Sequence, residues 1–202
     1  MRKAFVLLPI MVVIATLSQP GRASAAIITY QAVLNGANEG TPSLGTGFAI
    51  VTVDDIANLM HVQASFSGLT QPGSTGTIAS HIHCCTAVPG TGTAGVATTT
   101  PSFPGFPLGV FSGTFDNTFN LTMASSYNPA FVTANGGSVA AAEAALLAGM
   151  AGGRTYFNIH TSLFPGGEIR GFLTPAAVPE PVGLSLLGLG LVGVALRRRR
   201  RA

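Results

Sequence analysis

The stretch Tyr156–Leu173, YFNIHTSLFPGGEIRGFL, constrains the fold more than any other part of the 202-residue chain. Two short alternating runs flank Pro165-Gly166-Gly167, which is the sequence form of a β-hairpin with a longer loop. Successive strand side chains point to opposite faces, so Tyr156, Asn158 and His160 share one face while Phe157, Ile159 and Thr161 share the other. On the return run Glu168, Arg170 and Phe172 share a face, and Glu168 with Arg170 reads as an ion pair along the strand. A lone hairpin is marginal in water, so the remaining chain must supply more strands and a hydrophobic face.

It does so in short pieces. Ile27–Leu34 reads as a first strand and Asn35–Gly45 as a Gly/Asn/Pro/Ser loop. Gly47–Val53 is apolar on both faces, as in an inner strand. Leu59–Ser67 alternates, with Met60, Val62, Ala64 and Phe66 inward and His61 toward solvent. Gly76–His83 is the next strand. Val110–Thr114 and Phe119–Met123 read as a hairpin turning at Asp116-Asn117, and Thr86–Leu108 is a long aperiodic connection packed down by Phe103 and Phe106. Ser138–Met150, capped by Ser138 and closed by Gly152-Gly153, is the one expected helix. The expected class is all-β: an antiparallel β-sandwich of about eight strands with Greek-key connections, superoxide-dismutase-like or Ig-like.

The two ends are addresses. Met1-Arg2-Lys3, the apolar run Ala4–Leu17 and the small-x-small Ala23-Ser24-Ala25 read as a secretory signal peptide over residues 1–25, removed by signal peptidase. The tail 178–202 has Pro179-Glu180-Pro181, an apolar transmembrane helix over 182–196, and Arg197–Arg201 as a cytoplasmic stop. Between them, residues 26–177 keep only Arg154 and Arg170 against Glu39, Asp54, Asp55, Asp116, Glu143 and Glu168. The formal +3 of the whole chain therefore sits in its termini, and no basic patch for nucleic acid remains in the domain.

One other stretch matches the hairpin in chemistry: His81-Ile82-His83-Cys84-Cys85. His81 and His83 at i, i+2 on a strand hold two imidazoles side by side, about 7 Å apart at Cα. That is how a sheet chelates one ion, given a third ligand from a neighbour, and His160 is the candidate. Glu168 reads as a fourth ligand or as a partner to an imidazole N–H, with Asn158 and Arg170 beside it. The ion would be copper or zinc. For Cys84-Cys85 four states are open: a vicinal disulfide, free thiols, an intermolecular bridge, or soft-metal ligation, with the vicinal disulfide favoured. No nucleophile elbow or phosphate-binding loop occurs.

Two families resemble these motifs. The order Pro-Glu-Pro, apolar helix, arginine cluster over Val178–Ala202 resembles the PEP-CTERM sorting signal of Gram-negative bacteria, which implies processing by an exosortase. Tyr30–Gly36 with Asn38-Glu39, His81-Ile82-His83, and Tyr156–Thr161 followed by Pro165–Gly171 resemble a CHRD domain over Ile28–Leu173. That resemblance implies an extracellular β-sandwich with no catalytic residues to transfer. The expectation is a non-enzymatic exported protein, transiently anchored in the inner membrane and sorted to the cell surface or extracellular matrix. It would act there as a binding or structural module for extracellular polysaccharide or secreted proteins. The alternative is an extracytoplasmic copper- or zinc-binding protein using the histidine cluster.

Overall fold

The computed structural model describes residues 27–176. The signal-peptide and sorting-tail readings, Pro179, Glu180 and Pro181 included, lie outside them. Among the described residues no helix is long and apolar enough to cross a membrane.

Among the described residues eight strands run antiparallel: β1 (Ile27–Asn35), β2 (Thr46–Asp54), β3 (Leu59–Ser67), β4 (Thr77–His83), β5 (Gly113–Asn120), β6 (Tyr156–Thr161), β7 (Ile169–Phe172) and β8 (Thr174–Pro175). They form one sheet in the order β4-β6-β7-β1-β2-β3-β5, with β8 added to β1. The all-β antiparallel class holds, and the curled sheet fits a sandwich or barrel-like architecture. It differs from the expectation in that the hydrogen-bonded ladders are continuous, with β1 joining the two halves instead of each half forming its own sheet.

The alternation read from the sequence sets which face is inside. Tyr30, Ala32 and Leu34 of β1, Ala49, Val51 and Val53 of β2, and Met60, Val62, Ala64 and Phe66 of β3 are buried. One aromatic plug bridges the end strand β5 and β6, the strand beside the opposite end. Phe103, from the long connection after β4, lies 5.7 Å and 5.0 Å from Phe115 and Phe119 of β5, and 6.1 Å from Phe157 of β6. The same connection seals the free edge of β4. Cys84 N–H donates to Gly95 O, Ala97 N–H to Ile82 O and Phe103 N–H to Ser80 O, so the edge offers few open backbone groups to another chain.

Two expectations change. Asp116 and Asn117 do not turn; they lie inside β5, opposite Gln63 and Val62 of β3. Residues that favour turns are held extended here by partners across the strand: His61 Nε2 and Gln63 Nε2 both bond the Asp116 carboxylate. There is also more helix than the single one expected. Helix α3 (Val139–Ala151) keeps its Ser138 cap, with Ser138 Oγ accepting from Ala141 N–H. Helix α1 (Gly36–Glu39) is capped by Asn35 and helix α2 (Pro129–Ala134) by Asn128, both inside segments that lack the length to show a helical period. A 3-10 turn (Ala124–Ser126) precedes α2.

Phe103→Ala removes a side chain that is 2% exposed and bridges β5 and β6. It should lower unfolding stability by about 3–5 kcal/mol in a denaturant titration. A loss below about 1 kcal/mol would mean that the plug does not close the sheet.

Candidate metal centre

β4 places Ser80 and Ile82 toward the interior, which leaves His81 and His83 on the opposite face with Ala79. β6 pairs antiparallel with β4, setting Ala79 opposite His160, His81 opposite Asn158 and His83 opposite Tyr156. With only the Ala79 methyl facing it, the His160 ring has room to lean diagonally toward the other two. The three histidines meet: His81 Nδ1 lies 3.3 Å and His83 Nε2 3.4 Å from His160 Nε2. These three nitrogens all lie within 4.8 Å of one another. All three residues are buried, at 6–7% exposure.

The remaining ring nitrogens are held by main-chain carbonyls. His81 Nε2 bonds Pro101 O at 2.8 Å, His83 Nδ1 bonds Ala94 O at 2.9 Å, and His160 Nδ1 bonds Pro165 O at 3.0 Å. A carbonyl only accepts, so each of these ring nitrogens must carry the proton. Burial holds His81 and His83 down at about 4, helped for His81 by the neighbouring His160, and burial lowers His160 as well. All three are therefore neutral at pH 7, with one proton each. Three bare lone pairs then face one another with no proton between them. Nitrogens bound to one tetrahedral zinc at about 2.0–2.1 Å sit about 3.3–3.4 Å apart, which is the spacing of the two close pairs. The carbonyl partners fix ring orientation in the way outer partners of metal-bound imidazoles do.

The other candidates fall differently. Glu168 does not approach the imidazoles and does not pair with Arg170. It sits one residue before β7 begins, where strand alternation does not apply, and it is fully buried. Its carboxylate accepts from Ser43 Oγ, Thr161 Oγ1 and the Thr70 N–H, tying three segments together. Burial pushes this carboxyl up, but the donors outweigh it and leave it below its usual value. Arg170 instead meets Glu39 of α1, Nε to Oε2 at 3.1 Å, and donates to Asn38 O and Gly92 O. Its guanidinium lies 4.7 Å over the Tyr156 ring, which in turn stacks on His83 at 4.7 Å. Asn158 shares the histidine face, yet its amide turns to the Gly166 carbonyl and to Glu39, not to a ring. A Cβ on Gly167 would run into Asn158 and Glu39, so the glycine lets this turn close over them.

Cys84 and Cys85 are joined to each other. Both sulfurs pack on the backbone of Gly149 in α3, where any Cβ would collide with them. As a disulfide they offer no thiolate to an ion. His61, as read, lies on the outer face, bound to Asp116 Oδ1 at 2.6 Å.

The CHRD domain model matches residues 30–173. The chain belongs to the CHRD family. Strands β1 to β7, all three histidines and the Glu39–Arg170 pair fall within the match, except the first three residues of β1. A CHRD domain suggests a binding or structural module. Comparison with curated proteins and with solved structures returned no match. The sequence reading of this CHRD domain missed Glu39 as the partner of Arg170 and the three carbonyls behind the imidazoles. Glu39 had a signal, since it lay in the matched Asn38-Glu39 motif. The carbonyls of Ala94, Pro101 and Pro165 had none, because a main-chain group leaves no mark in residue identity.

The lowered values set a pH dependence for the metal-free chain. The fold prefers neutral His81 and His83, so their contribution is complete above the unfolded value of 6.5 and is lost as pH falls through about 4. The lowered Glu168 carboxyl acts in the same direction. The unfolding midpoint should be flat near pH 7 and drop steadily between pH 6.5 and 4 in thermal scans. An unchanged midpoint across that window would refute the buried, neutral cluster.

Proposed function

We propose that this CHRD-family chain is an exported, non-enzymatic binding module that holds one transition-metal ion, copper or zinc, on His81, His83 and His160. The observation that carries the reading is the convergence of three imidazole lone pairs whose opposite N–H groups are tied to carbonyls. A cation between them removes the lone-pair repulsion and takes ligands of the type and spacing that copper and zinc accept. Among the described residues the cluster histidines bond only one another and carbonyls, and no serine, threonine or cysteine is paired with them as a nucleophile. This favours binding over hydrolysis.

Export rests on the sequence of the two ends. Residues 1–25 act as the signal peptide, and Pro179-Glu180-Pro181 with the apolar run 182–196 and Arg197–Arg201 acts as the exosortase signal. The module then reaches the cell surface or extracellular matrix of a Gram-negative bacterium, where its partners are extracellular polysaccharide or secreted proteins.

The metal reading is tested by stripping the purified chain, incubating it with equimolar copper or zinc, and measuring bound metal by mass spectrometry. One ion per chain is expected, and His160→Asn should abolish it while leaving cooperative unfolding intact. A folded wild-type chain that takes up neither ion would remove the reading.

The sorting reading has a separate test. Deleting residues 179–202 should trap the protein in the periplasm, and wild-type mature protein should lack the arginine cluster by mass spectrometry. Mature protein still ending in Arg197–Arg201 would replace sorting by simple anchoring.

A further inference from the structure

Resting on the metal reading above, we infer that the ion taken by His81, His83 and His160 is monovalent copper in preference to any divalent ion. The argument is one of charge. All three converging ligands are neutral imidazoles, and the disulfide leaves Cys84 and Cys85 without a thiolate to offer. Among the described residues, the other groups in contact with the three rings are neutral. From the connection after β4 come the carbonyls of Ala94 and Pro101, from the hairpin turn that of Pro165, and from β6 the Tyr156 ring.

A fixed charge lies close by: the guanidinium of Arg170 on β7, 4.7 Å over the Tyr156 ring on which His83 stacks. Only the Tyr156 ring, 4.7 Å from each, separates this positive charge from His83, so it disfavours added positive charge at the cluster. The carboxylate that could offset a bound cation, Glu39, is already engaged by Arg170 Nε. The other buried carboxylate, Glu168, is occupied by Ser43, Thr70 and Thr161. The cage thus brings no anion to the ion.

Burying a charge costs in proportion to its square, so a divalent ion pays about four times the desolvation of a monovalent one, and whatever repulsion Arg170 retains beside Glu39 is doubled. Divalent zinc in an all-imidazole site keeps an open position for water or hydroxide. Here the three ligands are 6–7% exposed beneath two loops, which limits that supply. Monovalent copper needs no anionic ligand, and imidazole is a ligand suited to copper. Divalent copper prefers a tetragonal set of four nitrogen or oxygen donors, and the cluster brings three.

The experiment uses the full chain, stripped of metal and held anaerobic. Its affinity for Cu(I) is measured by competition with bicinchoninate, and those for Zn(II) and Cu(II) by competition with chromophoric chelators. Cu(I) should bind at one per chain and tighter than either divalent ion by about a hundredfold or more. Glu39→Gln leaves Arg170 uncompensated and should weaken Zn(II) by about tenfold more than it weakens Cu(I).

Zn(II) or Cu(II) binding as tightly as Cu(I) would overturn this inference and leave the metal reading standing. Binding of no ion would overturn the metal reading itself. The wild-type ranking decides the matter even if the Glu39 variant fails to fold.

Discussion

Three imidazole lone pairs point at one another because three main-chain carbonyls hold the ring protons on the opposite side. Everything distinctive about the site follows from that constraint. A buried neutral histidine normally resolves its second nitrogen with a donor. Here the second nitrogen of each ring meets only the second nitrogens of the others. Strand pairing brings the rings together, since antiparallel register sets β6 beside β4 with alternate side chains on one face. The carbonyls then decide what the meeting means. With a donor in place of just one of these carbonyls, that ring would turn an N–H toward the other two, and the cluster could be an ordinary buried hydrogen-bond network.

The fold sustains this arrangement from two sides. Beneath the rings, Ile82, Phe157 and Ile159 anchor β4 and β6 in the core. Above them, the hairpin turn and the connection after β4 supply Pro165, Ala94 and Pro101. Glu168 holds the turn end of this assembly through three donors from separate segments. A buried carboxylate with full hydrogen bonding fixes position more firmly than it adds net stability. Arg170 does comparable work at the other end, gathering α1, the loop at Gly92 and two aromatic rings.

Period-two alternation made much of this legible in the sequence. The faces of β1, β3 and β6 and the joint placement of His81, His83 and His160 follow from counting alternate residues in strands. The reading failed where identity and context disagree. Asp116 and Asn117 favour turns by themselves, and only His61 and Gln63 on the neighbouring strand make them extended. Glu168 was assigned to Arg170 by an alternation that does not extend past Ile169, the first residue of β7. Asn35 and Asn128 cap helices of four and six residues, too short for a periodic pattern to separate them from loop. One continuous sheet in place of two depends on how β1 joins β7 at Asn35 and Arg170, a long-range pairing that no local run encodes.

The connection after β4 ties the site to the core. Pro101 O holds His81, and two residues later Phe103 enters the aromatic plug between β5 and β6. A tether of two residues leaves little slack, so the loop can scarcely release the ring while its phenyl group stays seated. Any ligand that favours the held orientation of His81 therefore also favours the seated phenyl group, and through it the closed sheet. Occupancy of a small buried cluster would be felt as resistance to unfolding across the whole curled sheet.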